Sequence, residues 1–538
     1  MENKLPLIDN LIILFYFVLI IAIGIIVGVR RKNRTSDGFF LAGRSLNWLV
    51  IGAALFAANI STTHLVGLVA QGFEDGMVWG NFEWFAFPGL ILLSLVFAPV
   101  YYRTRIATLP EFLEKRYGPH TRTMLGIISL LFAIFAHIGI SLYAGAVVFK
   151  NFFGFEINLS LTVIISATLI YTLLGGLRAV VVTETVQSVI LVAGTIVLGV
   201  LAVKQLPAHD IVSLADFKAA VKPNQLNMVN GPESANLPFI SIVLGLPVIA
   251  IYYFGSDQTI VQKVLGARSK RDAQLGPVFT GFLKILPVFM MVVPGIVAYV
   301  LFGDRIQDPN DALPTLIREI LPAGMKGLLA AALIAALMST IAAGLNSTGT
   351  LVSMDIVKRF RPSISDRNIL LVGRVTILVV LISAAFWSPW IGSFKSIFEA
   401  INVILVSIAP PVTAVMVLGV FWKRGNQQGA LTTMISGFTI GILIFCLEFE
   451  PISGTRYITY NLGIPLMMQA FWLFVICTGI HVTVSLLTPP PPLEKTRDIA
   501  MDKPWDFITK DKISGFTDPR ILSLILVVVM AILYIIFR

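Results

Sequence analysis

Apolar runs of about 20 residues recur along nearly the whole chain of 538 residues, and each can cross a hydrocarbon layer of about 30 Å. Dividing the chain at charged and Pro/Gly-rich breaks predicts about 14 spans. They are roughly 10–29, 46–68, 81–102, 123–149, 157–177, 181–203, 238–258, 277–302, 322–353, 369–389, 396–421, 428–447, 464–487 and 520–537. With 56% hydrophobic and 13% charged residues, the chain exceeds what a soluble core can bury. We therefore expect an all-α polytopic membrane protein, with residues 1–538 forming a single transmembrane domain.

The distribution of basic residues predicts how the spans are oriented. Arg30, Arg31, Lys32 and Arg34 directly follow the first span, which places the N-terminus outside. With alternate loops assigned inside on that basis, about 27 of the 40 lysines and arginines lie on the cytoplasmic side and about 11 on the other. An even number of spans then makes both termini extracytoplasmic. Because this bias accounts for the net charge of +10, no nucleic-acid partner is expected.

Two spans are interrupted by polar residues. In the second span, Ala57–His64 contains Asn59 and then the polar run Ser61–His64, which interrupt an apolar segment. This pattern favours an unwound helix whose freed carbonyls face a cavity, although polar side chains that bond their own helix are the alternative. Tyr252–Gln258 interrupts the seventh span, about five spans later. Paired broken helices are typical of inverted repeats, with a midplane binding site and alternating access.

Among the charged residues within predicted spans, where a charge is costly, two stand out. Glu83 follows Gly80, Asn81 and Phe82 in the third span, and Lys284 stands alone among apolar residues in the eighth. Either is a candidate binding-site charge. The alternatives are a helix-joining ion pair for Glu83 and snorkelling to an interface for Lys284.

The ninth span holds two adjacent hydroxyls, Ser339 and Thr340, in a run of small residues. Small residues permit close helix packing, which is one interpretation. The other is an all-oxygen site in which the hydroxyls and the carbonyls of a facing unwound helix hold a small hard cation such as Na⁺.

In its motifs the chain resembles the sodium/solute symporter family, and within it the sodium/glucose cotransporter branch. The motifs are Phe40–Ser45, Ala57–Ser61, Gly80–Trp84, Gly175–Ala179, Thr183, Glu184, Gln187, Asp257, Gln258, Phe282–Lys284, Leu345–Thr348 and Met354–Ile356. The resemblance covers essentially the whole chain. It implies a five-plus-five inverted-repeat, LeuT-like core, with the first repeat at 46–203, the second at 238–421 and peripheral helices at 10–29 and 428–537.

The resemblance also implies roles for particular residues. The implied sodium ligands are the carbonyls of Ala57, Ile60 and Ala336 with the hydroxyls of Ser339 and Thr340. The implied substrate pocket is Asn59, His64, Glu83, Tyr253, Phe254, Lys284 and Asn402. His64 and Glu83 resemble partners of sugar hydroxyls, and Tyr253 resembles the ring that stacks under a pyranose and closes the inner side. Leu68, Phe82 and Phe398 resemble the outer gate, and Glu184 resembles the acidic residue near the ion exit.

Four positions depart from the sugar-transporting pattern. Asn402 stands where Gln is common, Ala250 where Thr or Asn often faces the sugar, Phe254 where Trp is frequent, and Glu184 where Asp is usual. The identity of the hexose is therefore left open, and a polyol such as myo-inositol or an amino sugar remains an alternative substrate.

The expected function is sodium-coupled symport of a glucose- or galactose-like hexose or a polyol by alternating access in the plasma membrane, without a cofactor other than the coupling ion. The alternatives are a symporter of another organic solute (an amino acid, a carboxylate or sialic acid) and a non-transporting solute sensor. An enzyme is not expected, because the sequence contains no nucleophile–base pair or metal constellation. No oligomeric state is predicted.

Overall fold

A computed structural model describes residues 6–29, 44–106, 108–232, 237–503, 505–509 and 515–538. Side chains are described for all of these except residues 20–29, 170–186, 188, 259, 350, 354, 355, 366 and 370. Within this part of the chain the secondary structure is helical, apart from one isolated bridge between Leu46 and Ala267. The basic cluster Arg30–Arg34 lies outside the described residues.

The α-helices are numbered in chain order. They are α1 Leu7–Val29, α2 Trp48–Asn59, α3 Thr62–Glu74, α4 Asn81–Trp84, α5 Phe87–Leu92, α6 Ala98–Thr104, α7 Leu109–Arg116, α8 Pro119–Phe132, α9 Gly139–Phe153, α10 Ile157–Gln205, α11 Leu214–Ala220, α12 Phe239–Ser256, α13 Gln258–Leu265, α14 Lys270–Leu283, α15 Val293–Phe302, α16 Ala312–Ile320, α17 Met325–Thr350, α18 Lys358–Phe360, α19 Asp366–Trp387, α20 Ile397–Phe421, α21 Gln427–Glu448, α22 Glu450–Ser453, α23 Leu466–Leu487, α24 Asp506–Thr509 and α25 Pro519–Ile536.

Short turns of other helix types connect or interrupt these elements. The 3₁₀ turns are Met77–Gly80, Leu206–His209, Pro309–Asp311, Ser388–Ser393 and Leu493–Lys495. The π-helical turns are Leu93–Phe97, Ala133–Ile138, Val288–Val292, Leu351–Val357 and Tyr457–Asn461.

Among the described residues, 11 helices are long and apolar enough to cross a membrane, or 12 if the bent pair α2 and α3 is one span. The chain is thus a many-span membrane protein, as predicted. The difference from about 14 spans arises at two places. The predicted span 10–29 lies in α1, whose side chains are described only as far as Leu19. The predicted spans 157–177 and 181–203 lie in α10, whose backbone is helical throughout.

Both predicted helix interruptions are confirmed. Helices α2 and α3 are bent by 62° at Ile60, where φ is −85° and ψ is 83°. The Ser61 side chain caps α3 by accepting a hydrogen bond from the His64 N–H. The second interruption is narrower than predicted, because α12 continues to Ser256 and only Asp257 is extended, with φ −76° and ψ 122°.

Helices α17 and α20 form the centre of the bundle. Of the candidate spans, 397–421 has the largest share of buried residues in its 18-residue apolar window, 89%, and 325–360 follows with 78%. In the spans that contain α19, α21, α23 and α25, only 22–28% of the residues in that window are buried, so these helices form the lipid-facing periphery. The centre therefore carries Ser339 and Thr340 on α17, and Phe398 and Asn402 on α20.

Hydrogen bonds between loops agree with the predicted topology. At one end of the bundle they join Leu46 to Gly266, Glu114 to Lys495 and Arg116 to Trp422. At the other end they join Asp9 to Gly324, Met77 to Gln225 and Asn310 to Ile397. Each pair links segments predicted to lie on the same side of the membrane, and the first set belongs to the basic side.

Candidate functional site

The break between α2 and α3 frees backbone carbonyls. In a continuous helix, the Ala57 carbonyl would accept from the Ser61 N–H, and the Ile60 carbonyl from the His64 N–H. Instead the Ser61 N–H donates to the Asn59 carbonyl at 3.1 Å, and the His64 N–H donates to the Ser61 hydroxyl at 3.2 Å. The Ala57 and Ile60 carbonyls thus lose these helical donors, which leaves their oxygens suited to a cation.

Helix α17 packs against this break. The Thr62 hydroxyl donates to the Leu333 carbonyl at 2.9 Å. Ser339 is fully buried, and its hydroxyl has no hydrogen-bond partner among the described residues. The Thr340 hydroxyl donates to the Ala336 carbonyl at 2.9 Å, so its oxygen keeps lone pairs for another partner. Because an unpaired buried hydroxyl is costly, Ser339 is a candidate ligand for something that binds here.

The donor set at this position is neutral. Within the described part of the chain, no group of three or more His, Cys, Asp or Glu residues has a metal-holding arrangement. Hydroxyl and carbonyl oxygens favour a hard monovalent cation rather than a transition metal.

Five of the residues predicted for the substrate pocket form one continuous polar cluster. The Glu83 Oε1 lies 2.6 Å from the His64 Nε2, and the Glu83 Oε2 accepts from the Lys284 Nζ at 2.7 Å. The Lys284 ammonium also donates to the Asn59 side-chain oxygen. The Asn59 Nδ2 then donates to the Tyr253 hydroxyl at 3.0 Å. The cluster joins the end of α2, the start of α3, α4, α12 and the C-cap of α14.

The burial of the two charged side chains bears on the alternatives left open for them. Lys284 is 3% exposed, so it does not snorkel to an interface, and that interpretation is wrong. Glu83 is 1% exposed and forms the helix-joining ion pair with Lys284. The carboxylate and the ammonium offset each other, which leaves the cluster close to neutral.

His64 and Tyr253 are the half-buried members of the cluster, whereas Asn59, Glu83 and Lys284 are buried. The imidazole and the phenol are therefore the more accessible groups of the cluster, and the ion pair is the less accessible part. Both groups exchange hydrogen bonds with hydroxyls, and the Tyr253 ring also offers an apolar face.

A group of aromatic rings packs against His64 of the cluster. The Phe398 ring lies edge-on to Phe82 at 5.1 Å, to His64 at 5.3 Å and to Trp79 at 5.9 Å between centroids. Trp79 stacks on Phe82 at 5.2 Å. Gly67 allows this approach, because a Cβ there would lie 2.8 Å from the Phe398 Cβ.

Three of the predicted pocket and gate residues form no described hydrogen bond with the polar cluster. Leu68 is fully buried and directly follows Gly67, which packs against Phe398. The Asn402 side chain donates to the Phe398 carbonyl of its own helix at 2.7 Å, and the described hydrogen bonds do not join it to Glu83. Phe254 is buried edge-on against Tyr253, at 5.1 Å.

Two of the positions that depart from the sugar-transporting pattern, Ala250 and Glu184, differ in what the structure describes of them. Ala250 packs on the backbone of α5, because a Cβ on Gly89 would lie 2.8 Å from the Ala250 Cβ. Glu184 belongs to α10, but its side chain lies outside the described residues. The same holds for the side chains of the nearby motif residues Gly175–Ala179 and Thr183.

Two residues beside the candidate site were not signalled by the sequence patterns, Trp79 and His137. Trp79 stacks on Phe82 and stands one position before the Gly80–Trp84 motif, so its position beside that motif was the available signal. The His137 Nε2 lies 3.6 Å from an Asp257 carboxylate oxygen, beside the second break. A lone histidine in an apolar run gave no signal of that pairing.

The chain is similar to known proteins over most of its length. The model of the sodium:solute symporter family matches residues 39–437. The sodium/mannose cotransporter of Bos taurus is 36% identical over 91% of this chain and 88% of its own length. Sodium/glucose cotransporter 1 of Mus musculus is 33% identical, over 90% and 79%. The sodium/myo-inositol cotransporter of Homo sapiens is 31% identical, over 96% and 79%.

Solved structures show the same fold. A Na⁺-coupled sialic acid symporter in a substrate-bound outward-open state has a TM-score of 0.71 at 19% identity, covering 90% of this chain and 99% of that one. A nucleobase-cation-symport-1 family transporter has a TM-score of 0.52 at 15% identity, covering 85% and 97%. The predicted LeuT-like fold class is confirmed.

Proposed function

Because this chain belongs to the sodium:solute symporter family, we propose that it is a secondary active transporter that carries a sugar or polyol with Na⁺ by alternating access. The cotransporters of mannose, glucose and myo-inositol, at 31–36% identity over at least nine-tenths of this chain, support that substrate class. The observation that carries the proposal is the hydrogen-bonded cluster of Asn59, His64, Glu83, Tyr253 and Lys284 beside the broken helix.

A neutral, polyhydroxylated substrate suits this cluster better than a carboxylate. The Lys284 ammonium already contacts Glu83 and Asn59, so it offers an incoming anion no unshared charge. The His64 imidazole and the Tyr253 hydroxyl can each exchange a hydrogen bond with a sugar hydroxyl. The Tyr253 ring can cover the C–H face of a pyranose. A hexose or a cyclic polyol is therefore favoured over sialic acid or an amino acid.

We assign the remaining pocket roles on the same basis. The proposed substrate-binding residues are Asn59, His64, Glu83, Tyr253, Phe254, Lys284 and Asn402. The proposed outer gate is Leu68, Phe82 and Phe398, to which we add Trp79 because its ring stacks on Phe82. Tyr253 also serves as the inner gate, and Asn402 reaches the substrate when its amide leaves the Phe398 carbonyl.

The proposed sodium site is formed by the carbonyls of Ala57, Ile60 and Ala336 and the hydroxyls of Ser339 and Thr340. The redirected N–H groups at the break support it, as does the Ser339 hydroxyl, which has no hydrogen-bond partner among the described residues. Five neutral oxygens would bind a monovalent ion weakly enough to release it. Glu184 is proposed to line the ion exit.

Coupling follows from the position of Asn59. It is the last residue of α2, directly at the break, and it contacts both Lys284 and Tyr253. Na⁺ bound between α2 and α17 would hold Asn59 in the sugar-binding arrangement and raise sugar affinity. Linkage then requires the sugar to raise sodium affinity by the same factor.

The driving force is adequate for accumulation. One Na⁺ crossing ~100 mV releases ~2.3 kcal/mol, and a tenfold gradient adds ~1.4 kcal/mol. The sum supports a several-hundred-fold sugar gradient, roughly, at one ion per sugar.

We further propose a plasma-membrane location with both termini extracytoplasmic, which the basic residues and the loop pairs support. No enzymatic reaction is proposed, because His64 and Glu83 bond to each other within the cluster and are suited to hydroxyl recognition.

Tracer uptake into proteoliposomes tests the function. D-Mannose, D-glucose and myo-inositol should be compared under an inward Na⁺ gradient and an equal K⁺ gradient, and at least one should accumulate only with Na⁺. Ser339→Ala combined with Thr340→Ala should abolish the sodium stimulation. Thr348→Ala is the matched control, because its buried hydroxyl donates to the Leu345 carbonyl two turns further along α17.

Accumulation that proceeds equally with K⁺ would contradict sodium coupling. Unchanged sodium stimulation in the double variant would show that the coupling ion does not bind at this site, and it would leave the proposed symport itself uncontradicted.

A further inference from the structure

A groove of about 790 Å³ lies between α2, α14 and the start of α25, outside the candidate transport site. One wall is a stripe on a single face of α14, made by Arg271, Leu275, Phe279 and Phe282. Trp48 at the start of α2 faces this stripe, with its ring edge-on to Phe279 at 5.4 Å. The end of the groove at Arg268 and Arg271, which we call its mouth, is polar, and the rest of the groove is apolar.

The length of the stripe corresponds to one membrane leaflet. Eleven residues separate Arg271 from Phe282, a rise of about 16 Å along a helix. A hydrocarbon layer is about 30 Å thick, so the apolar wall extends through about half of it. The charged end lies beside the bridge between Leu46 and Ala267, at the basic end of the bundle.

The mouth carries a positive charge that the described residues do not balance. Arg268 pairs with Asp272 at 2.9 Å, and the other Asp272 oxygen accepts from the Trp48 N–H at 3.0 Å. Arg271 is exposed and donates to the neutral Thr517 hydroxyl at 2.5 Å. In the part of the chain that the structure describes, no carboxylate forms an ion pair with Arg271. The N-terminal turn of α14, where Arg271 stands, adds a partial positive charge.

We propose that this groove binds an anionic glycerophospholipid, with its phosphate on Arg271 and one acyl chain along Leu275, Phe279 and Phe282. A zwitterionic lipid would match the wall but would leave the charge of Arg271 less compensated. A soluble anion would match the charge but would leave the apolar wall uncovered. Because the segments at the mouth all belong to the predicted cytoplasmic side, the groove opens to the leaflet that attracts basic residues.

The site is independent of the substrate that is transported, so its test does not depend on the proposed function. It does touch the transport machinery. Helix α2 ends at Asn59, and Lys284 is the C-cap of α14, so a bound lipid contacts both helices that bring these two residues together.

Quenching of Trp48 fluorescence by brominated lipid tests the proposal on the full chain in nanodiscs. The Trp48 signal is the difference between the wild-type protein and Trp48→Phe. Acyl-brominated phosphatidylglycerol and acyl-brominated phosphatidylcholine are compared at the same mole fraction in a phosphatidylcholine background. One arginine near a membrane surface predicts about a fivefold preference for the anionic lipid.

The charge variants separate a specific site from general surface attraction. Arg271→Gln should abolish the preference, and Arg271→Lys should keep most of it. Lys270→Gln is the matched control, because it removes a charge from the same helical turn without altering the lining of the groove. Native mass spectrometry gives a readout that does not use Trp48, and Arg271→Gln should retain about fivefold less phosphatidylglycerol.

Three results would overturn the proposal. Equal quenching of the wild-type protein by the two lipids would reduce the groove to ordinary lipid contact. An equal loss of preference in Arg271→Gln and Lys270→Gln would assign the effect to overall charge. Reversal of the quenching by millimolar glycerol 3-phosphate would show a site for a soluble anion instead.

Discussion

Replacing Lys284 with methionine removes the cation from the centre of the polar cluster and should destabilise the protein strongly. The Lys284 Nζ lies 2.7 Å from the Glu83 Oε2, and both residues are buried. At an effective dielectric constant of about 20, unit charges at that distance attract by about 6 kcal/mol before desolvation is counted. Removing one partner leaves Glu83 uncompensated, so the free energy of unfolding should fall by about 3–5 kcal/mol.

The double variant Glu83→Gln/Lys284→Met should recover most of that loss, because no buried charge is left unpaired. The free energy of unfolding of the wild type, both single variants and the double variant is measured by SDS titration in mixed micelles. The four values form a cycle whose coupling energy should be at least about 2 kcal/mol. Lys423→Met is the control, because its ion pair with Asp502 is exposed and should contribute at most about 1 kcal/mol.

Additive effects within about 0.5 kcal/mol, or a cost below about 1 kcal/mol for Lys284→Met, would refute the buried ion pair. The double variant also separates folding from transport. It should remain folded and still fail to take up sugar, since the Glu83 carboxylate that supports His64 is gone.

Further variants address individual contacts. Tyr253→Phe should raise the sugar KM by no more than about tenfold, because it removes one hydrogen bond. Tyr253→Ala also removes the stacking face and should raise the KM further. Equal KM values for the two variants would argue against stacking. Gly67→Ala places a Cβ 2.8 Å from that of Phe398 and should cost about 1–3 kcal/mol in unfolding free energy, while Gly479→Ala, where a Cβ meets nothing within 4 Å, should not. Asn402→Ala loses only a bond within its own helix, so a raised sugar KM with unchanged thermal stability would assign it to the pocket, and an unchanged KM would exclude it.

Hydropathy and local polar patterns predicted the parts of the fold that depend on neighbouring residues in the chain. The interruptions near Asn59 and Asp257 follow from polar runs in apolar segments, because unwound backbone in a membrane needs polar surroundings. Glu83 and Lys284 stood out because each is a charge that the bilayer makes costly. These signals are local, so one sequence is enough to find them.

The partners of those residues were not predictable in the same way. Lys284 and Glu83 are 201 positions apart, and their contact depends on how α4 and α14 are rotated against each other. Hydropathy does not encode that rotation, which is why snorkelling remained an alternative for Lys284. The contact between Trp79 and Phe398 likewise depends on how closely α3 approaches α20, and the close packing of Gly67 on Phe398 is part of that approach.

The most direct test of the account is the thermodynamic linkage between sodium and sugar. Equilibrium binding of the accumulated sugar is measured with and without saturating Na⁺, and sodium affinity is measured with and without that sugar. The account predicts that each ligand tightens the other by the same factor and that Ser339→Ala/Thr340→Ala brings both factors close to one. Sugar affinity that does not change with Na⁺ in the wild-type protein would contradict coupling through the broken helix.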